Sequence, residues 1–197
     1  MPRSNRIILT DVDGVLLEWE NHFTQWMVSR GHDLVPNYVP AYAMHTRFNL
    51  NEDFVRKQTH EFNKSAWMST QPPMPDSQTW VKLLHAEGWT FIPITSQTSD
   101  IPAQELRKRR LEELFGKNVF QNYFIFETGA SKDKALVEFR DTGLYWVEDK
   151  WTNAVAGLKY GLKPLFIDHP YNREYSHPNI TRVNNWKEIH KIVSGRK

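Results

Sequence analysis

The run Ile7-Ile8-Leu9-Thr10-Asp11-Val12-Asp13-Gly14-Val15 constrains this chain more than any other stretch. Its apolar first half reads as a buried strand, and that strand delivers two carboxylates, two residues apart, into a turn opened by Gly14. In open α/β sheets the carboxyl ends of the strands border the crevice where ligands bind, so Asp11 and Asp13 are candidate functional groups. The plainer alternative is that the pair only initiates a turn, as Asp-Gly pairs do.

The remainder of the chain decides the fold class. Short apolar runs alternate with helix-like stretches, the pattern that a parallel sheet with crossover helices requires. Strands are expected at 89–95, 123–126, 144–147 and 164–167, with an edge strand at 180–183. Helices are expected at 76–87, 102–115, 132–139, 151–160 and 186–193, the first two closed by Gly88 and Gly116. The stretch from Leu17 to Pro75 breaks this rhythm. It offers two helix-like segments, 21–30 and 52–67, with no strand between them, and returns through the stiff Gln71-Pro72-Pro73-Met74-Pro75. The expected organisation is therefore an α/β core made of residues 1–17 and 76–197, with a small helical cap inserted at 18–75.

Composition narrows the partners. The chain has 197 residues and a formal net charge of +2, too little to imply a polyanion, and the cluster Arg107, Lys108, Arg109, Arg110 is read as a solvated helix face among Glu105, Glu112 and Glu113. The mean hydropathy of -0.62 leaves no room for a membrane span. Asp11 and Asp13 interrupt the apolar run that follows the basic start, so no export signal is read there. With no cysteine, thiolate zinc sites and disulfides are ruled out, and the cytoplasm is the expected location. The eight histidines show no ligand spacing, and none is assigned a catalytic role.

Three further segments stand at expected strand ends or helix starts. Thr95 and Ser96 follow an apolar strand, where a hydroxyl and a backbone N–H can hold a phosphoryl oxygen; a helix cap or turn is the alternative. Lys132 opens a helix, where a cation opposes the helix dipole and invites a functional reason, with an ordinary surface lysine as the alternative. Glu148 and Asp149 end the strand 144–147 and bring more acid to the same sheet edge, unless they only cap the next helix.

The order acidic pair, hydroxyl, lysine, acidic pair, at the ends of successive strands, resembles the four motifs of the haloacid dehalogenase (HAD) superfamily, and the resemblance covers nearly the whole chain. It implies a HAD-like three-layer Rossmannoid core and a Mg²⁺-dependent phosphatase. In that family's terms Asp11 is the nucleophile and Asp13 the general acid and base. Thr95, Ser96 and Lys132 hold the phosphoryl oxygens, and Asp11, the carbonyl of Asp13 and Asp149 ligate Mg²⁺. Lys134 competes with Lys132 for the lysine role, and Glu148 and Asn153 are candidates for contact with the metal through water. Physical chemistry agrees with those roles. A carboxylate approaching a phosphate needs its repulsion cancelled, and oxygen-only ligands suit a hard cation. Asp13 favours a phosphatase over a dehalogenase, because an alkoxide leaving group needs a proton and a halide does not.

Asp13-Gly14-Val15-Leu16 with Glu18-Trp19, Ile94-Thr95-Ser96, and the segment Pro164 to Asn172 ending in Pro-Tyr-Asn further resemble the 5'(3')-deoxyribonucleotidase family. That resemblance implies a small-molecule phosphate ester as partner, a nucleoside monophosphate. A polynucleotide end phosphatase, another small-molecule phosphatase and a non-catalytic binding module are the alternatives. The cap is rich in aromatic residues, including Trp26, Tyr38, Tyr42, Phe48, Phe54, Phe62 and Trp67. Most of them are expected to pack the cap, with one or two left to stack on a base, and Trp26 and Phe48 are the candidates.

Overall fold

The computed structural model describes residues 6–38 and 41–195; the first five residues of the basic start lie outside them. Its centre is a parallel sheet of strands β1 (Ile7–Thr10), β2 (Thr90–Ser96), β3 (Phe124–Phe126), β4 (Tyr145–Glu148), β5 (Lys163–Ile167) and β6 (Thr181–Val183), in the order β3-β2-β1-β4-β5-β6. Every pairing is parallel, with Leu9 opposite Ile92 on one side and Trp146 on the other. β1 is apolar from Ile7 to Leu9 because both its faces are covered. Ile8 joins one core with Val81, Leu111 and Trp186, while Leu9 joins another with Leu136, Trp146 and Leu162. Helices α4 (Ser77–Ala86), α5 (Ile101–Phe115) and α8 (Trp186–Val193) cover the first face, and α6 (Asp133–Leu136) and α7 (Trp151–Lys159) the second.

The chain turns opposite ways from β1, to β2 on one side and to β4 on the other, so Asp11 to Gly14 emerges at the topological switch point of the sheet. Trp146 Nε1 donates to the carbonyl of Asn153 at 3.1 Å, and Gly157 lets α7 lie close against the same indole. Asp100 caps α5 through Ala103 N at 2.9 Å, and Asn185 caps α8 through Glu188 N at 3.0 Å.

Between β1 and α4 come α1 (Trp19–Ser29), α2 (Met44–Phe48), α3 (Glu52–Lys64) and a 3-10 turn at Ala66–Ser69. No strand is present among the described residues of this stretch, as expected, but α2 is an additional helix, and the segment expected at 52–67 divides into α3 and the 3-10 turn. The unit has its own apolar cluster, in which Phe23, Trp26, Phe48, Val55, Phe62 and Met68 are buried. A buried amide fastens it to the sheet. Asn63 Nδ2 donates to the Gln97 carbonyl and to Thr128 Oγ1, each at 3.1 Å, Asn63 Oδ1 accepts from Trp19 Nε1 at 2.9 Å, and Gln97 Nε2 donates back to the Asn63 carbonyl at 3.0 Å. No helix among the described residues is long and apolar enough to cross a membrane.

Candidate active site

The carboxyl edge of the sheet and the helical unit enclose a cleft of about 730 Å³, whose lining includes Asp11, Asp13, Gly14, Thr95, Ser96, Lys132 and Asp149. Residues separated by more than a hundred positions in the chain are thus brought together. Lys132 is buried, and its ammonium lies 2.6 Å from Asp11 Oδ2 and 2.9 Å from Glu148 Oε2. Lys134 is exposed, so of the two lysines only Lys132 reaches this centre.

Glu148 is wholly buried and fully used. Its Oε2 accepts from Lys132, while Oε1 accepts from the backbone N–H groups of Asp149 at 3.0 Å and Lys150 at 2.9 Å. The capping alternative does not hold, because these two N–H groups precede α7 and its N-cap residue, Lys150, has no side-chain cap. Glu148 steers Lys132 and the turn into α7 together. Asn153 does not line the cleft, and its carbonyl instead accepts the indole N–H of Trp146.

Asp11, Glu148 and Asp149 each offer an oxygen within 4.8 Å of the others. One ammonium among three buried carboxylates leaves surplus negative charge, and that surplus raises every proton affinity nearby. Burial, then the charge of Glu148, pushes the Asp11 carboxyl up to about 8, and burial, then Asp11, pushes Asp149 up to about 6. Glu148 is raised by burial as well. Burial alone would lower Lys132, but the charges of Asp11 and Glu148 outweigh it and hold the ammonium above its ordinary range. A hard divalent cation fits this donor set. It would neutralise the excess, and all the donors are oxygens.

Thr95 and Ser96 differ. The Ser96 hydroxyl donates to the Ala130 carbonyl at 2.9 Å, whereas Thr95 Oγ1 is buried beside the cleft with no partner among the described residues. A buried hydroxyl without a partner is costly, and an anion's oxygen would satisfy it.

Asp13 is held apart from the acidic trio. Its Oδ1 accepts from Arg107 Nη1 at 2.8 Å and from Gln71 Nε2 at 3.0 Å. Arg107 is thus wholly buried, and the expectation of a solvated face fails for it, because a partner from the other end of the chain supplies the charge that solvent would otherwise screen. Arg110 turns inward too, donating from Nε to the Gln71 carbonyl at 2.8 Å.

The Pro170-Tyr171-Asn172 turn closes the site. Tyr171 OH donates to Asp149 Oδ2, and Asn172 Nδ2 donates to the Asp149 carbonyl at 2.9 Å. His169 stacks on Tyr171 with ring centres 5.0 Å apart, and its Nε2 donates to the Gly14 carbonyl at 2.7 Å, while burial lowers the proton affinity of the ring. Gly14 is needed where it stands. Its φ is +73°, and a Cβ there would sit 2.5 Å from Asp149 Oδ2.

Comparison with solved structures fixes the fold. A predicted phosphatase from Clostridium acetobutylicum superposes with a TM-score of 0.68 at 15% identity, covering 96% of this chain and 98% of that one. A haloacid dehalogenase-like hydrolase from Streptococcus pneumoniae gives 0.63 at 13% identity, over 93% and 95%. The heptose 1,7-bisphosphate phosphatase of B. bronchiseptica, solved with magnesium and phosphate, gives 0.61 at 11% identity, over 96% and 98%. The fold is that of the HAD-like hydrolases. At the level of sequence, a nucleotidase from Clostridium acetobutylicum is 44% identical over 48 residues, a segment that is 24% of this chain and spans only 25% of that relative. No family model matches the chain.

Of the aromatics in the helical unit, several pack its cluster as expected, but the two candidates for stacking on a base are placed differently. Trp26 and Phe48 are buried in the cluster of the helical unit and do not line the cleft. Tyr42 and Trp19 do line it, and Tyr42 is 58% exposed. Sequence reasoning passed over Arg107, Gln71 and Tyr171 as site residues; only the Pro-Tyr-Asn pattern hinted at the last.

Proposed function

We propose that this chain is a divalent-cation-dependent phosphomonoester hydrolase of the HAD superfamily, acting on nucleoside monophosphates. The observation that carries the reading is Lys132 set between Asp11 and Glu148, beside Asp149 and the unpaired Thr95 hydroxyl, at the switch point of a parallel sheet. Asp11 attacks phosphorus and becomes an aspartyl-phosphate while the bond to the ester oxygen breaks. Asp13 gives that oxygen a proton and then takes one from the water that hydrolyses the intermediate. Thr95 and Lys132 hold the phosphoryl oxygens, with the Ser96 backbone as a further donor. Asp11, Asp149 and the carbonyl of Asp13 would hold Mg²⁺, which when bound would supply the charge that lets an anionic nucleophile meet an anionic phosphate.

In this reading residues 18–75 are the cap, and they cover the leaving group. The nucleotide assignment is supported by the short match to a nucleotidase and by the Tyr42 ring at the cleft, a face on which a base gains roughly 1–3 kcal/mol. The absence of cysteine suits a reducing compartment such as the cytoplasm. The test is a turnover panel with Mg²⁺ over nucleoside monophosphates, sugar phosphates and 5'-phosphorylated oligonucleotides. Nucleoside monophosphates are expected to give the highest kcat/KM. Sugar phosphates matching them would remove the nucleotide assignment and leave the hydrolase, a preference for oligonucleotides would move the substrate to polymer ends, and no hydrolysis of any ester would end the proposal.

A further inference from the structure

Arg107 lies outside every motif that pointed to the site, yet it is wholly buried and spends its guanidinium on Asp13. It comes from the middle of α5 and touches two different parts of the molecule. Nη1 donates to Asp13 Oδ1 at 2.8 Å, and Nη2 donates to Met68 Sδ at 3.3 Å in the 3-10 turn of the helical unit. Gln71, on the segment returning from that unit, donates Nε2 to the same Asp13 oxygen at 3.0 Å, and its backbone carbonyl is held by Arg110, one helical turn beyond Arg107. Asp13 Oδ1 therefore faces two groups that only donate and cannot take a proton from it. Oδ2 makes no hydrogen bond among the described residues, and Asp13 lines the cleft.

We infer that Arg107, with Gln71, is a positioning residue for Asp13: by saturating Oδ1 it confines the transferable proton to Oδ2, and because both residues are anchored to the helical unit the acid is aligned only while that unit is seated. The inference rests on the acid–base role proposed for Asp13. A packing role would predict something else. An arginine that merely filled space would affect stability and leave the proton-transfer steps alone, whereas one that orients an acid affects the steps that need the proton and does so through Asp13. Misplacing a catalytic group by about an ångström costs on the order of a hundredfold in rate.

The experiment is a double-mutant cycle on the full chain with Mg²⁺, using Arg107→Met, Gln71→Leu and Asp13→Asn, singly and in pairs. An alkyl phosphate and p-nitrophenyl phosphate are the substrates, because an alkoxide must be protonated as it leaves and a nitrophenolate need not be. Arg107→Met is expected to lower kcat on the alkyl ester about a hundredfold with KM little changed, and to produce a pre-steady-state burst on the nitrophenyl ester, where hydrolysis of the phospho-enzyme becomes limiting. Added to Asp13→Asn, it should lower kcat no further, since residues acting as one unit are not additive. Gln71→Leu leaves α5 and the buried arginine in place, so it carries the test if Arg107→Met does not fold, with a smaller loss of the same pattern. Equal losses on both esters in the pre-steady-state rate of phospho-enzyme formation, or full additivity with Asp13→Asn, would overturn the inference. Wild-type turnover by Asp13→Asn would instead remove the acid–base role on which it stands.

Discussion

Asp11 is held in a state that does not favour the isolated protein. Burial and then the charge of Glu148 push its carboxyl up to about 8 from an ordinary 3.8, so the ionised form that the proposed attack requires is disfavoured by the fold that houses it. An acid whose pKa is raised on folding costs no stability below its unfolded value, and the cost grows as pH rises towards the folded value. Asp11→Asn removes that cost while keeping the shape. It should abolish turnover yet melt, in EDTA, no lower than the wild type, with its relative advantage larger at pH 8 than at pH 5. Melting curves at the two pH values check the sign, and retained turnover would take Asp11 out of the chemistry. Arg107 is the opposite case, a charge whose burial is met by one partner. Its inward turn was illegible in the sequence because Arg107-Lys108-Arg109-Arg110 looks the same whether one of the four is buried or none. Only Asp13, 94 positions away, decides it. Lys132 was half legible: a lysine opening a helix runs against the helix dipole, but only its burial, set against the exposure of Lys134, tells the two apart.

Elements set apart the residues that pack from those that can meet a substrate. Phe48 on α2 belongs to the cluster with Phe23 and Phe62, whereas Tyr42 stands just before α2, exposed at the cleft, with the Lys150 ammonium 5.1 Å from its ring centre. Phe48→Ala should cost about 3–5 kcal/mol of stability by urea unfolding and leave the ratio of nucleotide to sugar-phosphate kcat/KM unchanged. Tyr42→Ala should leave stability within about 0.5 kcal/mol and lower that ratio about tenfold. An unchanged ratio in the Tyr42 variant would separate that ring from substrate choice. The sequence could not make this distinction, since every aromatic in a small helical unit has the same claim to be core. It also concealed α2, which spans only Met44–Phe48 and ends at Asn49 in the left-handed region, too short for a repeating apolar stripe to show. The strands of the core, by contrast, were read within a residue or two, because the central strands, covered on both faces, carry mostly apolar side chains in short continuous runs.

At the scale of the molecule, a cation held as proposed by Asp11 and Asp149 would couple its binding to protons. Asp11 and Asp149, raised by burial to about 8 and about 6, must release protons before an ion can be held, so Mg²⁺ affinity rises as pH rises through that window. The increase in melting temperature caused by a fixed millimolar Mg²⁺ concentration should therefore be larger at pH 8 than at pH 6. An equal shift at both pH values would place the ion elsewhere. The position of β1 has a consequence for how the chain reaches this state. Ile8 pairs with Phe91 on one side and Tyr145 on the other, so the strand that carries Asp11 completes its ladders with segments about 80 and 140 residues further along. Contacts that distant in sequence are slow to form, because loop closure costs entropy before any pairing repays it. A ribosome delivers β1 before either of its neighbours, and its apolar run stays without one of them until β4 has emerged, which makes Ile7-Ile8-Leu9 a part of the nascent chain in need of shielding from other chains.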